Sequence, residues 1–458
     1  MSRINWNAIT VLLVALAHVS TGGTAAAAYE LGDDSKRQDG VPEGTVTKHT
    51  FEASSIYPDA AHDYWVYVPA QYKADKPACV MVFQDGQAYV HEDAGVAAPI
   101  VFDNLIHKGE MPVTIGIFVN PGRKEFAYEL REHQYVPVDD SYARFLLEEI
   151  IPEVEKDYNL VDDASGRAIC GMSDGGLCSF TVGWHRPDAF SKIVSHIGSY
   201  TRLRGGSEYP YLIRETRDNP KPIRVFLQDG DADLNLLQGN WTLANLEMES
   251  ALMFARYDYR FEMGPGGHNL QHGGAIFPDT MRWIWRDYPG VNGAEDGPDL
   301  DAVAGTWKVE SNSMGNISNS TLVIAIKDGA LTAKLTDEKH GELKVKSIRY
   351  EDGILQYAYV SGGSIWGKEA EDLDYEKDSK DGKNEKGSKK TKDAKVSKNE
   401  KDAKAEKDSK WTKESKSGRG DMTTWLKVDG DTFKGALSME RGEAFDLPIK
   451  GQRTSGSK

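Results

Sequence analysis

Ser173 stands in Ile169-Cys170-Gly171-Met172-Ser173-Asp174-Gly175-Gly176, a G-x-S-x-G stretch. A serine between glycines at the end of an apolar run has the form of a nucleophile on a sharp strand-to-helix bend. Strained backbone and close strand–helix approach there leave no room for Cβ atoms. Such a bend exposes the hydroxyl at the carboxyl end of a sheet and aims the next amide, that of Asp174, where an oxyanion would form. A glycine-rich turn with an incidental serine fits these residues as well, so an acid and a base must follow if they are to do chemistry. Gln228-Asp229-Gly230-Asp231-Ala232-Asp233-Leu234 and Gly264-Pro265-Gly266-Gly267-His268-Asn269 each follow a strand-like run, and in a parallel sheet both loops leave the same edge as Ser173. The chain order Ser, Asp, His gives Ser173 the attack on an acyl carbon, His268 the transfer of the proton, and one aspartate the task of fixing the imidazole. Asp233 is the first choice for that acid, because a carboxylate a few residues past the strand end reaches toward a neighbouring loop. Asp231 is the second and Asp229 the third; both also suit turn capping at glycine-rich corners. The second oxyanion donor is expected from the loop after the Phe83 strand, as the amide of Gln87 or Gly86.

Alternation and apolar runs supply the elements that must hold these groups. Thr45–Phe51 and Tyr64–Val68 alternate as antiparallel strands do, whereas Ala78–Phe83 and Val113–Val119 are continuous apolar runs suited to strands covered on both faces. Helices are predicted over Ala97–His107, over Asp140–Tyr158 with a kink or fresh turn at Pro152, after the serine bend, and over Ala244–Tyr257. Further strands are predicted at Lys192–Ile197, Ile223–Leu227 and Tyr259–Met263. Strands alternating with helices give an α/β class, a mainly parallel sheet with helices on both faces.

With 458 residues the chain exceeds one usual core. Arg3, an apolar run from Ala8 to Val19 and the small residues Ala25–Ala28 have the form of an export signal over 1–28, implying a secreted or periplasmic protein. The α/β domain then spans 29–290 and a linker 291–303. Residues 304–453 change to short alternating strands with Asp328-Gly329, Asp352-Gly353 and Asp429-Gly430 as turns, a small antiparallel β-domain of barrel type. A low-complexity tract at 369–419, with lysine at every third residue from Lys377 to Lys416, interrupts it; its period matches no amphipathic helix and it buries nothing. Net charge of −16 argues against nucleic acid as a partner. Cys79, Cys170 and Cys178 are expected as buried free thiols, with a Cys79–Cys170 bridge open if their strands are adjacent. No metal or other cofactor is expected: the cysteine spacing is not that of a zinc site, and His268 and His272 form H-x-x-x-H on a loop rather than a helix. His49, His133, His185 and His196 read as structural or exposed.

Residues from about Gly44 to Pro289 resemble the esterase family that includes enterochelin esterase, esterase D and the feruloyl and acetylxylan esterases of carbohydrate esterase family one. The matching words are Asp63–Pro69, Phe83-Gln84-Asp85-Gly86, Arg131-Glu132 with Tyr135, Gly171–Gly176, Asp229–Leu234 and Gly266-Gly267-His268. The resemblance implies an α/β-hydrolase fold, no metal, ester substrates and Asp233 as the triad acid. Gln84-Asp85-Gly86 stands where many relatives carry a histidine-glycine motif and is similar to the enterochelin-esterase branch. Arg131 and Glu132 sit where the family has a loop near the cleft, as binders of a polar or carboxylated substrate or as partners in a structural ion pair. Gly305-Thr306-Trp307 is similar to the opening strand of lipocalin-like barrels.

Overall fold

The computed structural model describes residues 29–124, 130–292, 299–313, 315–351, 353–361, 421–439 and 445–456. The N-terminal apolar run and the lysine-rich tract lie outside the described residues. The chain divides into two compact units, one built almost wholly from residues up to Ala294 and one from Glu295 onward. Among the described residues no helix is long and apolar enough to cross a membrane.

The first unit has an α/β-hydrolase fold. Its eight-stranded sheet consists of β1 (Thr45–Phe51), β2 (His62–Val68), β3 (Cys79–Gln84), β4 (Thr114–Val119), β5 (Arg167–Met172), β6 (Lys192–His196), β7 (Arg224–Gly230) and β10 (Asp258–Gly264), in the order β1-β2-β4-β3-β5-β6-β7-β10. A small hairpin, β8 (Asn235–Leu236) with β9 (Gly239–Asn240), stands apart from it. β1, β2 and β4 pair antiparallel, and every pair from β4 to β10 is parallel. β3 and β4 are buried at every position, which is why their sequences are apolar without alternation.

Side chains of β5 show how the two faces are used. Ala168 and Cys170 join a cluster with Phe83, Phe102, Phe118, Phe277 and Trp285, which brings the helices Ala98–Lys108 and Phe277–Trp285 to one face. Gly171, one residue on, points to the other face, where its α-carbon meets the helix Asp174–His185. Phe83 and Phe118 stack with ring centroids 4.5 Å apart at the centre of the first cluster.

The helix expected over Asp140–Tyr158 runs from Ser141 to Val154, and its middle, Phe145–Ile150, is a π-helix. Pro152 follows within the first turn of the final segment. A proline without an N–H cannot bond back to residue 148, so the anticipated irregularity takes the form of a π segment rather than a break. Cys170 pairs with Phe83, whereas Cys79 lies at the far end of β3, so the adjacent strands offer no bridge geometry. All three cysteines are free and buried.

The second unit is a nine-stranded antiparallel sheet: β11 (Gly305–Ser313), β12 (Asn316–Lys327), β13 (Ala330–Asp337), β14 (Gly341–Leu343), β15 (Val345–Glu351), β16 (Ile354–Val360), β17 (Asp421–Asp429), β18 (Thr432–Met439) and β19 (Phe445–Gly456). Residues from seven of these strands, among them Trp307, Leu322, Leu335, Tyr357, Leu426, Phe433 and Ile449, share one buried cluster. A sheet this wide reaches a common core only by curling, and it forms a nearly closed, barrel-like wall. Lys327 pairs with Ala330 across Asp328-Gly329, both at positive φ, as a two-residue hairpin requires. Arg453 lies over the Trp307 ring at 4.7 Å and donates to the carbonyl of Ala304, closing the end at which Gly305-Thr306-Trp307 enters.

Candidate active site

Ser173 joins β5 to the helix Asp174–His185 with φ 57° and ψ −120°, a conformation that costs a non-glycine residue about 1–3 kcal/mol. The surroundings hold it there: its amide donates to His196 O at 2.9 Å, and its carbonyl accepts from Ser199 N at 3.0 Å and Leu177 N at 3.1 Å. Gly171 is obligatory for this bend, since a Cβ on it would stand 2.3 Å from the backbone oxygen of Gly175. Gly171→Ala is therefore expected to destabilise the first unit by about 1–3 kcal/mol, read as a lowered urea midpoint. It should also slow every reaction of Ser173, because relief of the clash moves the bend.

His268 and Asp233 complete a line of hydrogen bonds. His268 Nε2 lies 2.8 Å from Ser173 Oγ, and its Nδ1 lies 2.7 Å from Asp233 Oδ1. The Asp233 side chain is fully buried while the imidazole is partly open to solvent. Burial opposes the charge on Asp233, yet the bonds with His268, Asp229 and the Leu234 amide outweigh it and hold the carboxyl below its usual range. An ionised Asp233 accepts, so Nδ1 carries the proton and Nε2 is left to accept from the serine hydroxyl.

The other two acids of that strand end also have places. Asp231 Oδ1 accepts from Gly266 N at 3.0 Å, and the Asp231 amide donates to Gly264 O, so this residue ties the loop bearing His268 to the loop bearing Asp233. Asp229 is wholly buried at the end of β7, behind Asp233.

The Asp174 amide is the first of its helix, where N–H groups lack a carbonyl from the preceding turn. On the opposite side, Asp85 has φ 54° and its amide donates to Tyr135 Oη at 3.1 Å. The Gly86 amide donates to Val119 O, and the Gln87 amide to Asn120 Oδ1 at 3.1 Å, while Asn120 Nδ2 donates back to Gln87 Oε1 at 3.2 Å. Of the two candidate donors, only the Gln87 N–H is held by a side chain that can turn away.

Arg131 occupies the floor between these two loops. Its Nε and one terminal nitrogen each lie 2.8 Å from an oxygen of Asp85, and the other terminal nitrogen lies 2.7 Å from Asp174 Oδ2. It also donates to the Met172 carbonyl at 3.1 Å. The ion-pair alternative for Arg131 is thus the one present in this structure; Glu132 lies exposed on the same short helix.

Ser199 and Trp241 border the hydroxyl without having drawn notice in the sequence. Ser199 Oγ is 3.3 Å from Ser173 Oγ and accepts from Trp241 Nε1 at 3.0 Å, and the Trp241 ring stands edge-on to His268. The sequence predicts this helix over Ala244–Tyr257, whereas it spans Trp241–Phe254, which puts Trp241 in its first turn. His196 is buried against Tyr89 Oη, and burial takes its imidazole down to about 3. His272 stacks on Tyr29 and meets Gln228 Nε2. Among the described residues no group of three or more His, Cys, Asp or Glu is placed to hold a metal ion.

Residues 59–275 match the family model described as "Putative esterase", in agreement with the resemblance drawn from the sequence. The chain is 24% identical over 237 residues to an iron(III) enterobactin esterase of Dickeya dadantii, covering 48% of this chain and 51% of that protein. Against the iron(III) enterobactin esterase of Escherichia coli K12 it is 22% identical over 187 residues, 39% of this chain and 44% of that one. The chain spans about half the length of these curated relatives. Among solved structures it is similar to the Shigella flexneri enterobactin esterase in the presence of enterobactin, at a TM-score of 0.43, 17% identity and coverage of 54% of this chain and 60% of that one. It is likewise similar to a ferulic acid esterase of Anaeromyces mucronatus in complex with ferulic acid, at 0.45, 18%, 57% and 95%.

Proposed function

We propose that this chain is a serine hydrolase that cleaves carboxylic esters through an acyl-enzyme, with Ser173 as nucleophile, His268 as general base and acid, and Asp233 as the residue that orients the imidazole. The continuous line from Asp233 Oδ1 through His268 to Ser173 Oγ, at 2.7 and 2.8 Å, carries the reading. On attack His268 Nε2 takes the hydroxyl proton, and the resulting imidazolium sits against ionised Asp233. The carbonyl oxygen gains charge toward the amides of Asp174 and Gln87, the latter released from Asn120 as the oxyanion replaces the side-chain acceptor. Protonated His268 then gives its proton to the departing alkoxide, and a water entering by the same route hydrolyses the acyl-serine. Nothing in this cycle calls for a cofactor.

Substrates of the kinds named for the relatives, enterobactin or feruloyl esters, or acetyl esters of carbohydrate, are the candidates. Residues 29–290 are proposed as the catalytic domain, 291–303 as linker, 304–453 as the β-domain, and 1–28 as a cleaved signal that sends the protein to the periplasm or outside the cell. Labelling with a fluorophosphonate tests the chemistry, because only an activated serine reacts: stoichiometric labelling that ester substrate suppresses supports it. An unlabelled protein that still binds a glycan or siderophore would replace the enzyme by an idle hydrolase-like scaffold. Side-by-side hydrolysis of feruloyl, acetyl and catecholate esters then ranks the substrates.

A further inference from the structure

We propose that Asp229 is a positioning residue for the triad acid: it carries a proton at neutral pH and donates it to Asp233 Oδ2, so that the buried pair holds one negative charge instead of two. The inference rests on the catalytic roles proposed for Ser173, His268 and Asp233.

Asp229 pairs with Met263 across β7 and β10 and is wholly shielded from solvent. Neither of its carboxyl oxygens receives a hydrogen bond, and Asp233 Oδ2 is equally buried and equally without a donor. The two side chains lie within hydrogen-bonding reach of each other. Two buried carboxylates in contact repel, whereas a carboxylic acid donating to a carboxylate makes a strong charge-assisted bond that satisfies both orphaned groups at once. The proton belongs on Asp229. Asp233 Oδ1 already accepts from His268 and from the Leu234 amide at 2.5 Å, bonds that favour its ionised form. The Gly230 amide and the Asn245 side chain lie beside Asp229 and favour its ionised form, but more weakly than burial and the Asp233 carboxyl oppose it.

The surroundings offer few other charges. Asp233 faces Asp229 from the loop after β7, with His268 beyond it on the loop after β10. His272, on the helix Gln271–Ala275, meets the Asp229 carbonyl. His196, on β6 opposite Gln228, is kept neutral by burial. The helix Trp241–Phe254 contributes the neutral Asn245. Burial first, then the neighbouring Asp233 carboxyl, pushes Asp229 up to about 9. Above that pH a second negative charge appears beside Asp233, and repulsion loosens the Asp233 carboxyl from its place against His268.

The test compares the wild type with Asp229→Asn and Asp229→Leu, measuring kcat and KM for p-nitrophenyl acetate from neutral pH to beyond pH 9, with spontaneous hydrolysis subtracted. Asp229→Asn, whose amide still donates, is expected within about threefold of wild type at neutral pH and to lose the fall in kcat/KM as pH rises through about 9. Asp229→Leu leaves Oδ2 without a donor and is expected to lower kcat about tenfold with KM little changed. Infrared difference spectra at neutral pH, wild type minus Asp229→Asn, should show a protonated-carboxyl band that vanishes on the same alkaline titration. That measurement needs no turnover, so it tests the shared proton even in a protein that hydrolyses nothing, and it stands if the leucine variant does not fold. An absent band, or alkaline limbs that coincide in wild type and Asp229→Asn, overturns the proposal.

Discussion

Replacing Ser173 with alanine is expected to lower kcat for p-nitrophenyl acetate by about 10⁴-fold or more, with the urea midpoint unchanged. The methyl side chain keeps the Cβ that the strained backbone already accommodates at φ 57°, so the bend and the bonds of its amide and carbonyl survive. The only loss is the oxygen that would attack. Residual turnover would come from the amides and from His268 activating a water in the emptied space. His268→Ala is expected to reach a similar floor, and the double variant to fall little further, because the two groups act in one proton transfer. A loss smaller than about tenfold for Ser173→Ala would mean that hydrolysis proceeds elsewhere on the molecule or without an acyl-enzyme.

That Ser173, His268 and the three acids would meet at one sheet edge was legible because topology does most of the placing. A parallel sheet delivers every strand end to one edge, so Ser173, the β7 loop and His268 converge whatever their separation along the chain. Which of the acids would meet His268 was less legible. Asp229, Asp231 and Asp233 are separated only by single residues, and their roles depend on where the chain leaves β7, a matter of packing. Asp231 bonds across to Gly266 and Asp229 turns into the interior. The two roles open to Arg131 could not be told apart because its partners, Asp85 and Asp174, are remote in sequence and become neighbours only when β3 and β5 pair. The hold of Asn120 on the Gln87 amide depends likewise on the parallel pairing of β3 with β4. In the second unit Asp328-Gly329 marked its hairpin end well, since two positive φ values in succession admit few residues, whereas Asp429 is the last paired residue of β17 and its turn falls one residue later, at Gly430-Asp431.

Arg131→Leu is expected to destabilise the first unit by about 3–5 kcal/mol and to lower kcat/KM in whatever folds. The guanidinium is mostly buried and supplies the charge partner of Asp85 and of Asp174, both themselves largely shielded. Removing it leaves two carboxylates in low dielectric without the guanidinium charge, and each then gains by turning toward solvent. Asp85 holds φ 54° at the head of the loop that carries Gln87, and Asp174 carries the amide beside Ser173, so both sides of the proposed oxyanion site shift when these carboxylates move. Arg131→Lys is a useful intermediate, because a single ammonium cannot reproduce the fork that grips both oxygens of Asp85. It should recover part of the stability and less of the rate. The decisive comparison adds Asp85→Leu to Arg131→Leu, exchanging the main pair for apolar side chains. Stability measured by urea unfolding should then return toward wild type, while kcat/KM stays low, since the arginine bridge that set the spacing between the two loops is still missing. If activity returned together with stability, the ion pair would contribute to folding alone and the oxyanion amides would take their positions from the backbone.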